Sequence, residues 1–421
     1  MTPLLPIART YTLYTAAVYY SLLLFYTIEL GAQITTSSAM NLKVHELRDL
    51  GFTSDDYPGV SYCQVGSAVL IHQPTLGDSL KFCLYDASTA RCDSMYVNMT
   101  GIVPEFSMTS PEFMDISASD KYLVLLAFKG IIVFALQPDV NNLRFMYSAP
   151  LPLPFSKAGV CGDKILLGMC YNHRAEKGVK PTCLAVYDIP TRRIVRSINP
   201  DFAGIELTHF SPSQWIDFSG SNILFADASK YSVRIYDTTL TLISRIDEQP
   251  TVWKAIDTKA LTAIAKKYNA GNTKASLPAL TAYMESHPSN IIRSAGFIGS
   301  ERIYISYTPA DSIKSKNFER LYDIWSRDTT SSDRWIASAR GVMTSCVNRK
   351  DTCSKRNFTD YIQFAKAVTL PGSHLGVVVR TPPLQYIYEE GIPYSTLEAN
   401  TQEYFRNDNP LRYTFLRYSF E

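Results

Sequence analysis

The sequence predicts an all-β fold, a six-bladed β-propeller with a small two-helix insertion between blades four and five. Three observations lead to this prediction. Short apolar runs end repeatedly in Tyr-Asp, with a turn after each. The runs recur at roughly 40 to 50 residues, which is the period of a four-stranded propeller blade. The segment 251–292 departs from this pattern and shows helical spacing instead.

The Tyr-Asp motif marks the predicted end of the third strand in a blade. It appears in "FCLYDASTA", "LAVYDIP", "VRIYDTT" and "RLYDIW", with a degenerate "YIYEE" from 386 and one copy replaced by "FALQPD". An aspartate that begins a turn can accept a hydrogen bond from the backbone two residues on. A structural role for Tyr85-Asp86 is therefore favoured over a catalytic one.

Strand-like runs rich in Val, Ile, Leu, Tyr and Phe divide the chain into six units. The predicted blades are 59–103, 113–150, 158–200, 214–250, 293–340 and 363–417. An open ring would expose strand edges, so the ends of the chain must close it. We expect "NLKVHEL", residues 41–47, to complete the last blade beside the C-terminal run 412–420.

The predicted insertion contains two helical segments. "TVWKAIDTKALTAIAKKY" places Trp253, Ile256, Leu261 and Ile264 near helical spacing, and "SLPALTAYMESH" follows a Gly-Asn break. Insertions between blades usually lie on a rim. This one could cap one face of the ring, bind a partner or simply pack against the blades.

The first 33 residues have the order of a secretory signal peptide. A single charge, Arg9, precedes an apolar stretch from about Ala16 to Ile28, and the small residues Gly31-Ala32 follow. We expect cleavage near Ala32, a propeller domain over 34–421, and export to the periplasm, the cell surface or the medium. The alternative is an uncleaved anchor, which is the one form that would involve a membrane.

Composition limits the possible functions. Apolar residues make up 46% of the chain and charged residues 19%, which is typical of a folded protein with a substantial core. The formal net charge of +2 provides no strong basic field, so nucleic acid is not expected as a partner.

Eight cysteines in an exported chain suggest disulfides. Cys346 and Cys353 close a short polar loop and are the predicted pair. Zinc is the rival interpretation, but the chain has no C-x-x-C motif, and no metal site is predicted. Cys83 and Cys92 flank a turn and could face each other across two strands. The pairing stays open for six cysteines: Cys63, Cys83, Cys92, Cys161, Cys170 and Cys183.

These features together resemble the TolB-like six-bladed propellers of secreted bacterial proteins. The resemblance rests on the N-terminal signal segment, six weak repeats with Tyr-Asp at a strand end, and an aromatic C-terminal strand, and it covers roughly residues 40–420. It implies the propeller fold and an exported protein. It implies no activity, because relatives of this kind serve many functions.

Candidate ligand-binding residues lie in the links that should surround one mouth of the central channel. These are the links from second to third strand and from blade to blade. They contribute histidines, cations, one acid and one tyrosine: His72, Lys129, His173, Arg174, His209, Asp227, Lys230, Tyr307 and Arg380. Such a rim would suit an acidic or sugar-like ligand, with Phe210 and Trp215 available for stacking.

Two functions remain open from the sequence. The first is a non-catalytic exported propeller that binds a protein or a glycan at the channel mouth. The second is a lyase or hydrolase that uses His72, His173 or His209 there. The chain lacks a G-x-S-x-G elbow, a P-loop and an H-E-x-x-H motif, and the sequence leaves any cofactor unknown. The binding function is the favoured hypothesis.

Overall fold

The structure is a computed structural model. It describes residues 42–53, 60–73, 79–86, 89, 91–98, 113–127, 130–136, 143–169, 182–200, 214–227, 230–250, 253–255, 257, 259–260, 263–264, 282–283, 286–287, 290–308, 320–330, 334–343, 368–370, 374–381, 383 and 411–420. The predicted signal segment 1–33, the pair Cys346 and Cys353, and the "YIYEE" run lie outside these residues.

The described residues form six four-stranded antiparallel sheets, which are the six predicted blades. Blade 1 contains β2 (Ser61–Val65), β3 (Ala68–Gln73), β4 (Ser79–Asp86) and β5 (Arg91–Asn98). Blade 2 contains β6 (Phe113–Ala118), β7 (Tyr122–Ala127), β8 (Gly130–Leu136) and β9 (Leu143–Pro150). Blade 3 contains β10 (Lys157–Cys161), β11 (Lys164–Gly168), β12 (Leu184–Asp188) and β13 (Arg193–Ile198).

The remaining blades follow the same order, except that the outer strand of blade 6 is β1, from the N-terminal part of the described chain. Blade 4 contains β14 (Gln214–Ser219), β15 (Asn222–Asp227), β16 (Val233–Tyr236) and β17 (Leu242–Ile246). Blade 5 contains β18 (Ile291–Ile298), β19 (Arg302–Thr308), β20 (Arg320–Arg327) and β21 (Trp335–Met343). Blade 6 contains β22 (Val368–Leu370), β23 (His374–Thr381), β24 (Arg412–Phe420) and β1 (Leu42–Thr53).

The ring closes through β1, which pairs antiparallel with β24 as the outermost strand of blade 6. The predicted closure is confirmed. Arg412 Nε and Asp49 Oδ2, which are 3.0 Å apart, form an ion pair across this junction. The third strand of blade 6 is β24 itself, so the Tyr-Glu run at 386 does not occupy that place in the sheet.

Apolar side chains fill the spaces between neighbouring blades. Five buried clusters join blades 1 and 2, 2 and 3, 3 and 4, 4 and 5, and 6 and 1. Successive side chains in a strand point to opposite faces, so each sheet can contribute to the core on both of its sides. This explains why the second strands read as nearly continuous apolar runs, as in Leu123 to Leu126 of β7.

One aromatic residue occupies the same register position on the third strand of every blade. In each blade this aromatic residue pairs with the second residue of the second strand, which is Val69 of β3 in blade 1. The six residues are Tyr85, Phe134, Tyr187, Tyr236, Trp325 and Tyr418. Tyr85 packs against Phe415 of the preceding blade, with ring centroids 4.6 Å apart.

The register corrects the sequence analysis in blade 5. There the repeated aromatic position is held by Trp325, and Tyr322-Asp323 lies near the start of β20 rather than at its end. The turn aspartate of this blade is Asp328, whose carboxylate accepts hydrogen bonds from the amide and hydroxyl of Thr330 at 2.8 and 2.6 Å. The motif at 322–323 is therefore not a copy of the one at 85–86.

The other Tyr-Asp aspartates serve as turn residues, as predicted. Asp188 accepts hydrogen bonds from the amide and hydroxyl of Thr191 at 3.0 and 2.6 Å. Asp237 accepts from the amides of Thr239 and Thr241, and Asp86 accepts from the hydroxyl of Thr89. The hydroxyl bond from Thr191, followed by its amide bond, lowers the pKa of Asp188.

We expect Asp188→Ala and Asp328→Ala to lower the free energy of unfolding by about 1 kcal/mol each, because each loses the acceptor of two turn hydrogen bonds. Urea unfolding followed by circular dichroism measures the change. Asp120→Ala, on an exposed turn of blade 2, is the matched control. A loss of about 3 kcal/mol or more at Asp188 would contradict a role confined to the turn.

Blade 1 contains a disulfide between Cys83 and Cys92, whose Cα atoms are 6.1 Å apart. The sequence left this pairing open. Among the other described cysteines, Cys161 is a free thiol, and the Cys183 thiol donates a hydrogen bond to Asn199 Oδ1 at 2.8 Å. The predicted pair Cys346 and Cys353 remains a prediction.

The insertion between blades 4 and 5 is described only at separate positions. Residues 259–260, 263–264, 282–283 and 286 have helical backbone, and no complete helix lies within the described part of 251–292. The carboxylate of Asp257 accepts hydrogen bonds from the amides of Lys259 and Ala260 at 3.0 and 3.1 Å. Such bonds are typical of a helix N-cap. The two-helix insertion stays a prediction.

Two further findings apply to the described residues alone. No helix among them is long and apolar enough to cross a membrane. No group of three or more His, Cys, Asp and Glu side chains in these ranges is arranged to hold a metal ion.

Candidate functional site

The two faces of the ring differ in how much chain they carry. On one face, first and second strands are joined by links of two or three residues: 66–67, 119–121, 162–163, 220–221, 299–301 and 371–373. On the other, the links include 169–183, 199–213, 247–290, 344–367 and 382–411. We call the second face the mouth face. It is the face on which the sequence placed the candidate ligand-binding residues.

The structure describes five of the nine candidates. His72, Asp227, Tyr307 and Arg380 lie at or near the mouth-face ends of second strands in blades 1, 4, 5 and 6, and Lys230 follows Asp227 in the turn of blade 4. Lys129, His173, Arg174 and His209 lie outside the described residues, as does Phe210. Asp227, Lys230 and Tyr307 share the region where blades 4 and 5 meet. His72 and Arg380 lie on other blades.

His72 is fully buried beneath the mouth face. It is opposite Phe82 across two strands, and the ring centroids are 5.3 Å apart. Burial lowers the pKa of His72 from its ordinary value of 6.5 to about 4. The imidazole is therefore neutral at physiological pH and belongs to the packing between blades rather than to the exposed rim.

The turn that follows β15 presents Lys230 to solvent and returns Tyr231 to the interior. Asp227 is buried, and its carbonyl accepts a hydrogen bond from the Lys230 amide at 3.3 Å. Lys230 is exposed, whereas Tyr231 is completely buried. The turn thus places an exposed cation immediately before a buried aromatic residue in the sequence.

Tyr231 lies at the centre of an aromatic cluster between blades 4 and 5. Its ring centroid lies 5.3 Å from Trp253, 5.8 Å from Tyr307 and 6.5 Å from Trp325. Trp253 and Tyr307 are 5.5 Å apart. Edge-to-face contacts of this kind add to the stabilisation from burial. The cluster is part of the buried core between blades 4 and 5, near the mouth-face end of β15.

A buried polar chain runs through the aromatic cluster. The Trp325 indole N–H donates to the Tyr231 hydroxyl oxygen at 3.0 Å, and the Tyr231 hydroxyl donates to Asp323 Oδ2. Asp323 is almost completely buried. Burial, and then the negative charge of Asp323, raise the pKa of Tyr231 above its ordinary value. The chain crosses from blade 4 to blade 5 and fixes the two blades to each other.

The two ends of the insertion meet beside this cluster. The Lys254 amide donates to Asn290 Oδ1 at 2.5 Å, and the Asn290 amide donates back to the Lys254 carbonyl at 2.8 Å. Asn290 is fully buried. Residues 255–289 therefore leave and re-enter the propeller at one closed neck, and Trp253 of the aromatic cluster anchors it.

Trp215, which the sequence nominated for stacking, serves a structural role in the described contacts. It is half-buried, and its indole N–H donates to the Ile292 carbonyl of blade 5 at 3.1 Å. Gln214 is buried beside it, and its amide donates to the Met169 carbonyl of blade 3. Both side chains connect neighbouring blades.

Sequence reasoning missed Tyr231, Asp323 and Asn290. Tyr231 follows the nominated Lys230 directly, but its burial depends on the turn geometry. Asp323 was taken for a turn residue because of the preceding tyrosine. Asn290 lies at the end of the segment 251–292. Helical periodicity, the signal used there, does not reveal that its side chain bonds to the backbone of Lys254, 36 residues earlier.

Neither a family model nor a curated protein sequence matches the chain. Among solved structures, it is similar to a Bacteroides fragilis protein inferred to be exported, with a TM-score of 0.50 and 11% identity over 91% of this chain and 95% of that one. A member of the DUF4221 family from Bacteroides vulgatus is similar at a TM-score of 0.46 and 10% identity, over 91% of this chain and 99% of that one. At such low identity, the first likeness shows the fold alone.

Proposed function

We propose that the protein is an exported, non-catalytic propeller that binds a protein or a glycan through its mouth face. The difference in link length between the two faces is the observation that carries this proposal. Loops that bind ligands are commonly held by a rigid scaffold, and long links provide the variable surface. The short turns on the opposite face offer little chain for recognition.

The region where blades 4 and 5 meet is the best-defined part of this proposed surface. Lys230 is an exposed cation that directly precedes Tyr231 of the buried aromatic cluster, and the neck at Lys254 and Asn290 joins the insertion to the same region. We propose that the insertion contains the two predicted helices and takes part in binding. His173, Arg174, His209, Lys129 and Arg380 are proposed to extend the surface around the ring.

Export is supported by the N-terminal signal-like segment and agrees with the inferred export of the Bacteroides fragilis protein. We propose removal of residues 1–33 and a location in the periplasm, at the cell surface or in the medium. The resemblance to TolB-like propellers belongs to this proposal as well. The alternative, a lyase or hydrolase that uses channel-mouth histidines, would draw on His173 or His209, because His72 is buried.

The test compares variants of the two faces of the mature protein on an array of defined glycans and on an array of immobilised purified proteins. One variant replaces residues 255–289 by a short Gly-Ser linker, which the closed neck can accept. A second is Lys230→Ala. Lys164→Ala, on the opposite face near the turn 162–163, is the matched control.

We expect the wild-type protein and Lys164→Ala to bind the same target, and the two mouth-face variants to lose about tenfold or more in affinity, as truncation of a central contact does. Thermal melts confirm that all variants fold. Binding that survives both mouth-face changes but is lost in Lys164→Ala would overturn the proposed face. Turnover of a bound glycan by the wild-type protein would favour the enzyme instead.

A further inference from the structure

The disulfide of blade 1 joins a buried cysteine to an exposed one. Cys83 lies on β4, is 1% exposed and belongs to the buried cluster that joins blades 6 and 1. Cys92 lies on the outer strand β5 and is exposed. Cys92 pairs with Tyr85 and Cys83 pairs with Ser94, so the bond runs diagonally between the two strands. The two ends of this bond therefore differ in their access to solvent.

The disulfide attaches β5 to the interface that closes the ring. Alternate residues of a strand point to the same face, so Ser94 and Tyr96 share with Cys92 the side of blade 1 that faces blade 6. Both are exposed, and Tyr96 keeps 63% of its surface accessible. On the opposite side, Met95 and Val97 pack against the buried cluster between blades 1 and 2. The first half of β5 therefore depends on the disulfide and the strand pairing, whereas the second half has apolar contacts of its own.

This arrangement limits how an external thiol can break the bond. Thiol–disulfide exchange requires a thiolate to reach one of the two sulfurs. Burial closes the approach to Cys83, whereas Cys92 lies at the surface. Attack at Cys92 makes Cys83 the leaving group, and a thiolate is disfavoured in apolar surroundings. We therefore expect the bond to open slowly and from one defined side.

We propose that this disulfide is a redox-sensitive latch on β5, and that Cys92 is the site at which external thiols act on it. The thiolate of a low-molecular-weight thiol bonds to Cys92 Sγ and the bond to Cys83 breaks. Cys83 keeps the electron pair and takes up a proton from water, which leaves a mixed disulfide on Cys92. A second thiolate attacks the external sulfur of the mixed disulfide, and Cys92 leaves with the electron pair and is protonated. The protein gains two electrons and two protons in total, and the reagent is oxidised to its own disulfide.

Opening the latch would free residues 91–94 from the interface between blades 6 and 1. All four residues are exposed, and a segment with few buried contacts can open without unfolding of the whole domain. The compartment would set the state of the latch, because disulfides persist in oxidising surroundings and are reduced where thiols are abundant. The exported location proposed above corresponds to the closed state.

The first test uses two tryptic peptides that report the two sulfurs separately. Cleavage after Arg91 places Cys83 in residues 82–91 and Cys92 in residues 92–121. The folded wild-type protein is treated with N-ethylmaleimide to block accessible thiols and then with reduced glutathione. After acid quenching and removal of glutathione, iodoacetamide labels the released thiols in denaturant, and mass spectrometry maps both modifications. We expect glutathione on Cys92 and iodoacetamide on Cys83, at a rate that increases in proportion to the glutathione concentration.

Hydrogen exchange followed by mass spectrometry tests the effect on β5. The samples are the reduced wild-type protein and Cys92→Ser, which leaves Cys83 as a buried thiol. We expect amide exchange at residues 91–94 to become about tenfold faster in both, and exchange at 95–98 to change less. The matched control is Cys161→Ser, which removes a free thiol of blade 3 and should leave β5 unchanged.

Three results would overturn the proposal. The first is glutathione on Cys83, or on both cysteines equally. The second is a reduction rate that reaches a plateau as glutathione increases, or no reduction at all, since the bond would then open only on unfolding. The third is unchanged exchange at residues 91–94 in the reduced wild-type protein, or an equal change in Cys161→Ser. Melting curves establish that each sample is folded, and none of these readouts depends on the mouth face.

Discussion

Asp323→Ala is expected to lower the free energy of unfolding by about 2–4 kcal/mol, because it removes the buried acceptor of the Tyr231 hydroxyl. The hydroxyl would then keep its burial between blades 4 and 5 without this partner, and the chain from Trp325 through Tyr231 would end inside the core. Guanidinium unfolding followed by tryptophan fluorescence measures the loss. The comparison variant is Asp188→Ala, which replaces the aspartate of another Tyr-Asp dipeptide, one that lies in a solvent-facing turn.

Tyr231→Phe separates the hydrogen bond from the ring. It keeps the aromatic contacts with Trp253 and Tyr307 but removes the hydroxyl. If the Tyr231–Asp323 hydrogen bond accounts for most of the stability lost in each single variant, the double variant Tyr231→Phe/Asp323→Ala will be destabilised by clearly less than the sum of the two single changes. Additive effects, or a loss at Asp323 no larger than at Asp188, would contradict a dominant role of the Tyr231–Asp323 bond in joining the two blades.

The blades could be predicted from the sequence because their strands are buried on both faces. A core on each side of a sheet requires apolar runs such as "LVLLA". The tight turns between the strands favour Gly, Ser and Asp, which mark the ends of these runs in the sequence. The closing strand was also predictable, since a ring whose chain ends are unpaired would expose an edge. These features depend on local composition and on one topological requirement.

Register could not be predicted in the same way. A dipeptide does not reveal whether it lies at the start or the end of a strand, and in blade 5 the strand continues past Tyr322-Asp323 for four more residues, 324–327. Trp325 then takes the aromatic position through pairing with Ile303, which is a contact between distant parts of the chain. The β-bulges of the outer strands, such as the extra residue Met146 in β9, could not be predicted either, because an extra residue is recognised only when the strand is compared with its pairing partner.

The candidate site shows the same limit. The sequence placed His72, Asp227 and Tyr307 on the correct face, because alternating strand direction fixes which links share a face. It could not tell that all three side chains are buried, since each lies near the end of a second strand where neighbouring blades still pack. Lys230 lies in the turn after β15, one residue before the buried Tyr231, and it is exposed.

His72 is expected to make the protein sensitive to acid between pH 6.5 and pH 4. Its pKa in the folded state is about 4 and its ordinary value is 6.5, so the unfolded chain binds the proton first as the pH falls. The stability that depends on neutral His72 is complete above pH 6.5 and decreases through this window. Below about pH 4 no further loss is expected from this residue. The full difference corresponds to about 3 kcal/mol.

The measurement is urea unfolding at intervals from pH 7.5 to pH 3.5 for the wild-type protein, His72→Gln and His287→Gln. His72→Gln cannot take up the proton, so its unfolding free energy should fall less steeply below pH 6.5, whatever its stability at neutral pH. His287 is exposed and stacks on Tyr283, with ring centroids 4.3 Å apart, so its replacement should leave the wild-type slope unchanged. Parallel pH profiles for wild type and His72→Gln would show that His72 can be protonated within the fold. The histidine would then have to reach solvent, and an acid–base role at the mouth face would regain support.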